Sequence, residues 1–82
     1  MSLDLAGVVL YVRSGCHLCE LFLLEMSLDL GEGLERLRVL DVDSDETLAS
    51  RYGLRVPVLE ARGEVLCEGV YDRARVLEAL RV

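Results

Sequence analysis

The chain has no lysine: its nine cations are all arginine, set against fifteen carboxylates, for a net charge of −6 over 82 residues. That balance leaves no basic face broad enough to follow a phosphate backbone, which excludes nucleic acid as an expected partner. Long apolar runs are missing too. Those present are short and broken by charge, and Met1-Ser2-Leu3-Asp4-Leu5 lacks the cationic region and apolar stretch of a secretory signal. No membrane span is expected, and the chain reads as cytoplasmic. Three cysteines are too few, and odd in number, for a disulfide-stapled secreted scaffold. Repeats, linkers and low-complexity tracts are also absent. Eighty-two residues give room for one domain, 1–82, with one modest core and no separate substrate lobe. Any active site must then lie on its surface, and a monomer is expected.

What is present is a globular composition, 52% apolar and 29% charged. Val8-Val9-Leu10-Tyr11-Val12 is a continuous run of strand formers, as in a central strand covered on both faces. Arg13-Ser14-Gly15 breaks it. From Cys16, residues Leu18, Leu21, Phe22, Met26 and Leu30 recur at helical spacing up to Gly31-Glu32-Gly33. Leu37 to Val42 reads as a second strand, parallel to the first because a helix connects them. Asp43 and Glu46 resemble a capping pair for a short helix that Gly53 ends. Val56 to Glu60 reads as a third strand, with proline near its start, and Glu64 to Glu68 as a fourth, paired with it as a hairpin. Val76, Leu77 and Leu80 define a closing helix with Asp72 as N-cap. The order βαβαββα predicts an α/β domain with a four-stranded mixed sheet and helices on both faces. Ligands of such sheets collect beyond the carboxyl end of a central strand, where Cys16 falls.

Cys16 and Cys19 straddle the first turn of the first helix. Two cysteines at that spacing can form a disulfide, and the unpaired amides and dipole of the helix start favour a thiolate on the first. Cys16 is then the nucleophile and Cys19 the resolving thiol. The alternative is half of a zinc site or two core thiols. Structural zinc takes four ligands, and beyond this pair only Cys67 and His17 remain. An iron–sulfur cluster bridged between two chains is a further alternative. No metal and no permanently bound cofactor is expected.

The stretch from Val9 to Cys19, with Arg13-Ser14-Gly15-Cys16-His17-Leu18-Cys19 at its heart, resembles the active-site segment of glutaredoxins in the thioredoxin superfamily. It is most similar to small bacterial glutaredoxin-like proteins in which histidine follows the first cysteine. Tyr52-Gly53-Leu54-Arg55-Val56-Pro57-Val58-Leu59 resembles the cis-proline segment of the superfamily. The resemblance implies a thioredoxin-like fold and a thiol-disulfide oxidoreductase acting on glutathione or on client protein disulfides. It implies that Pro57 is cis and set against the sulfurs, with the backbone of Val56 left to pair with an extended substrate. Arg13 stands where a glutaredoxin lysine meets a glutathione carboxylate, while Gly69 and Asp72 fall near the segment that receives the other end of glutathione. Two departures stand out: a single glycine follows Glu68, and Arg55 replaces a threonine. Leu10 occupies the place of the buried acid of thioredoxins, so proton transfer by that residue is not invoked.

His17 either favours the neighbouring thiolate or simply faces solvent at the helix start. Arg13 and Arg55 can set a local positive field despite the acidic whole. Cys67 reads as a small apolar strand residue, Tyr11, Tyr52 and Phe22 as core, and Tyr71 as a residue at the rim of the site. A second functional class is a binding or metal-carrying module on the same scaffold, with redox chemistry incidental.

Overall fold

The apolar run after Gly7 forms strand β1 (Val8–Val12) in the computed structural model, which describes residues 2–82. Strand side chains alternate between the faces of a sheet, and β1 is covered on both. Val8, Leu10 and Val12 pack on one side, Val9 and Tyr11 on the other. The chain continues through α1 (His17–Leu30), β2 (Arg38–Asp41), α2 (Glu46–Tyr52), β3 (Val58–Ala61), β4 (Glu64–Glu68) and α3 (Arg73–Leu80), with short 3₁₀ segments on either side of β2. This is the βαβαββα order read from the sequence.

The strands lie in the order β2-β1-β3-β4. β1 and β2 are parallel and joined through α1, while β3 runs antiparallel to β1 and β4 antiparallel to β3. Arg62 and Gly63 at the β3–β4 turn both have positive φ, 51° and 86°. Two-residue hairpins whose twist matches their strands require that sign. On one face α1 presents Phe22 and Met26, and α3 presents Val76 and Leu80, against Leu10, Leu59 and Leu66. On the other, Tyr52 of α2 packs with Tyr11, Val42 and Val58. No described helix is long and apolar enough to cross a membrane.

Three local expectations are corrected. β3 begins at Val58 rather than Val56, since Pro57 has no N–H to give a ladder and follows a cis bond. The side chain that caps α2 is Asp45, which accepts from Thr47 N at 2.8 Å; Asp43 is occupied elsewhere. Tyr71 is buried in the core, its ring edge-on to Phe22 at 5.3 Å, rather than at a rim.

Candidate active site

β1 delivers the chain to a tight turn in which Gly15 adopts φ 75°, a left-handed conformation that glycine takes without steric cost. The N–H of Cys16 donates to Arg13 O at 3.2 Å, closing that turn. Cys16 is extended (φ −88°, ψ 108°) and serves as the N-cap of α1, its Sγ accepting the backbone N–H of Cys19 at 3.1 Å. A sulfur so placed faces the unpaired amides at the positive end of the helix dipole. Cys16 and Cys19 are joined as a disulfide with their Cα atoms 5.2 Å apart. Cys16 is partly exposed and Cys19 is buried, so the first sulfur is the one that an external thiol or disulfide can reach.

Sheet register brings the rest of the site to this end. Tyr11 lies opposite Val58 in antiparallel pairing, so the residues before Val58 run beside the loop that leaves β1. There the Val56–Pro57 bond is cis and Pro57 is fully buried. Val56, in neither helix nor strand, makes no backbone hydrogen bond among the described residues. Val58 in turn pairs with Glu68, and Gly69 N donates to Pro57 O at 2.8 Å, which fixes the end of β4 against the proline loop. Asp72 follows as the N-cap of α3, accepting from Arg75 N at 3.1 Å.

The two arginines are held by local carboxylates. Arg13 grips Asp43 with its fork, Nε to Oδ2 at 3.0 Å and Nη2 to Oδ1 at 2.9 Å, and donates Nη1 to Gly53 O at 2.9 Å. Three of its five N–H donors are thereby committed, and the bond to Asp43 raises its pKa further above the ordinary value. A Cβ at Gly53 would collide with Ala49 O and lie 2.8 Å from Arg13 Nη2, so glycine is what lets the guanidinium lie against the end of α2. Arg55 donates Nε to Glu68 at 2.6 Å, which raises its pKa, and its guanidinium carbon lies 5.2 Å from the Tyr52 ring centroid. His17 is 80% exposed in its side chain and turns Nδ1 towards Glu20 at 3.9 Å, one turn along α1.

Sequence reasoning missed the partners Asp43, Gly53 and Glu68. Asp43 sits in an acidic run suited to capping, and nothing local marks it as the mate of a guanidinium thirty residues earlier. Leu18, Leu54 and Val70 flank these loops and are exposed, which the spacing of Leu18 in α1 did not indicate. Cys67 is half-buried against the α1 side of the core, and burial pushes its thiol pKa up despite a backbone hydrogen bond at Asp72.

A bridged cysteine pair could sit in many folds; what distinguishes this one is that the topology sets it at the carboxyl end of the central strand with a cis-proline loop alongside. That combination defines a thioredoxin-like protein. The family model of the Glutaredoxin-like domain (DUF836) matches residues 7–81, and the chain belongs to that family. Among solved structures, the NMR structure of protein Ne2328 from Nitrosomonas europaea is similar at 30% identity and a TM-score of 0.78, over 98% of this chain and 94% of that one. The X-ray structure of target protein XcR50 from X. campestris is similar at 34% identity and a TM-score of 0.67, over 88% of this chain and 96% of that one. No curated protein matches the chain.

Proposed function

We propose that the chain is a thiol-disulfide oxidoreductase working through Cys16 and Cys19. The observation that carries this reading is the N-cap sulfur: Cys16 Sγ takes an amide hydrogen bond at 3.1 Å at the tip of α1, with Cys19 buried one turn behind. In the reduced protein that amide and the helix dipole favour a Cys16 thiolate, lowering its pKa from about 8.5. The thiolate attacks one sulfur of a substrate disulfide, forms a mixed disulfide and expels the other sulfur as a thiolate. Cys19 then gives up its proton and attacks Cys16 Sγ, closing the internal bridge and releasing the second substrate sulfur, which takes a proton. Two electrons pass from protein to substrate. An external dithiol, or two molecules of glutathione, restores the reduced pair.

Val56 offers a backbone N–H and C=O to an extended substrate next to the sulfurs, and Pro57 shapes the wall of that slot. Gly69 and Asp72 receive the far end of glutathione or of a peptide. Arg13 and Arg55 add positive potential while Asp43 holds the fork of Arg13 and Glu68 holds Nε of Arg55, and His17 stands exposed at the same helix start. With those donors committed and Leu18, Leu54 and Val70 exposed nearby, protein disulfides are the better substrates and glutathione the co-substrate. The working compartment in this reading is the reducing cytoplasm, and the working unit the monomer.

Cys16→Ser is expected to abolish turnover of a small disulfide, and Cys19→Ser to stall as a trapped mixed disulfide visible by mass spectrometry. Full turnover by the Cys16→Ser protein refutes the mechanism. Stoichiometric zinc or iron–sulfur absorbance after purification without oxygen refutes it in favour of a metal-carrying module.

A further inference from the structure

A helix that covers one face of a sheet is expected to be apolar inside and polar outside. α3 obeys, exposing Arg73, Arg75 and Glu78 while Val76 and Leu80 are buried. α1 does not. Its inner side is formed by Cys19, Phe22 and Met26, yet its outer side is also apolar: Leu18, Leu21, Leu24 and Leu28 are 49%, 41%, 62% and 82% exposed. Leu21, Leu24 and Leu28 are spaced i, i+3, i+7 and so form one stripe, and Leu18 continues it into the turn that holds the disulfide. At the far end, beside Leu28, a shallow depression is walled by Tyr71 and by Arg73, which Asp29 holds.

We propose that this outer face of α1 is a docking strip for a client protein: an apolar segment with cationic flanks that lies along the helix while its disulfide reaches Cys16. The assignment rests on the oxidoreductase reading above and names the partner of that site. Charge selects the occupant. Exposed Glu20 and Glu25 flank the stripe and α1 carries no arginine, so a partner with arginine or lysine beside its apolar residues is complementary. A second copy of this chain is not, because pairing two such helices sets glutamate against glutamate between molecules that each carry −6. Size agrees. Four leucines on a fourteen-residue helix offer on the order of a few hundred Å², well below the roughly 800 Å² per partner of lasting complexes and in the range of transient redox encounters.

The test uses the full chain with Leu24→Glu and Leu28→Glu combined, both at exposed positions. The probes are a helical peptide with leucines at i, i+3, i+7 and flanking arginines, a version with glutamates in place of the arginines, and N-acetylcysteine. Each carries its cysteine as a mixed disulfide with thionitrobenzoate, whose release is followed by absorbance. The double variant is expected to react about tenfold more slowly with the arginine peptide and at the wild-type rate with N-acetylcysteine. The glutamate peptide is expected to be slow with both proteins. Unchanged rates with the arginine peptide overturn the docking strip and leave the reductase intact. Should neither protein react with any probe, the reductase reading falls, and anisotropy of a labelled peptide with serine for cysteine decides docking alone: tenfold weaker binding by the variant supports it, equal binding overturns it. A wild-type dimer that Leu24→Glu dissociates in sedimentation also overturns it, since the stripe would then belong to a second copy.

Discussion

The two faces of the sheet are built differently. Under α1 and α3 the core is large and mostly aliphatic, with eleven buried residues among those described, centred on Leu10, Phe22, Met26 and Leu59, and only two rings, Phe22 and Tyr71. Under α2 it has four, and two of them are tyrosines. Tyr11 and Tyr52 pack at 4.6 Å between centroids, both hydroxyls donate to Glu60, and the guanidiniums of Arg51 and Arg55 lie 5.0 Å and 5.2 Å from the Tyr52 ring. A seven-residue helix cannot cover much apolar surface, so its seat relies on directional contacts whose loss is local. The same β3 strand serves both designs, sending Leu59 and Ala61 one way and Val58 and Glu60 the other. The difference implies a sheet whose α1 face supplies global stability and whose α2 face, which also anchors Arg13 through Gly53, opens at lower cost.

The sharpest way to break that contrast is Phe22→Ala. The ring is fully buried between the sheet and Tyr71, so its removal leaves a cavity and is expected to cost about 4 kcal/mol of unfolding free energy, measured by urea titration. A cost under about 1 kcal/mol would mean that the α1 face is not the stabilising one.

Tyr71→Phe probes a polar device on that face. Tyr71 donates to Asp29 at 2.6 Å, and Arg73 grips the other carboxylate oxygen at 2.8 Å, which ties the end of α1 to the start of α3. The Tyr71 hydroxyl, and after it Arg73, holds the Asp29 carboxyl below its ordinary pKa. A depressed carboxylate contributes stability that is present above its unfolded pKa of about 3.9 and is lost as pH falls through the folded value. Burial, and then Asp29, pushes Tyr71 above its ordinary value. Its contribution is therefore full below the unfolded pKa of about 10 and lost as pH rises towards the folded one. Phenylalanine is expected to cost about 2 kcal/mol at neutral pH and to flatten both the acid and the alkaline limbs. Unfolding titrations near pH 3, 7 and 10.5 measure all three.

The sequence carried the parts of this design that are local. Continuous β formers marked β1, the spacing from Leu18 to Leu30 marked α1, and Gly53 and Asp72 marked helix ends where they are found. The cysteine pair and the cis-proline segment were legible as motifs. Long-range pairing was not. Asp41, Asp43, Asp45 and Glu46 put four carboxylates within six residues, and nothing local says that Asp45 caps α2 while Asp43 pairs with Arg13. Tyr11, Tyr52 and Glu60 each read as ordinary strand or helix residues, and only the β1–β3 register brings a hydroxyl and a carboxylate 49 positions apart into reach. Tyr71 was expected at a rim, yet its ring turns inward to Phe22. Leu18 and Leu21 share the helical spacing of Phe22 and Met26 in the sequence, yet only the inner half of the helix joins the core.

Tyr52→Phe has the smallest expected effect and tests the α2 face most selectively. The substitution keeps the ring, hence the stacking on Tyr11 and the flanking guanidiniums, and removes only the hydroxyl that donates to Glu60. Glu60 retains the longer bond from Tyr11 at 3.4 Å and partial contact with water, so the cost is expected to be about 1 kcal/mol. If the two faces open separately, that loss appears as roughly fivefold faster amide exchange in Glu46–Tyr52, with the protected amides of α1 unchanged. If α1 accelerates to the same extent, the sheet opens as one unit, and the division between a stabilising face and a yielding one fails.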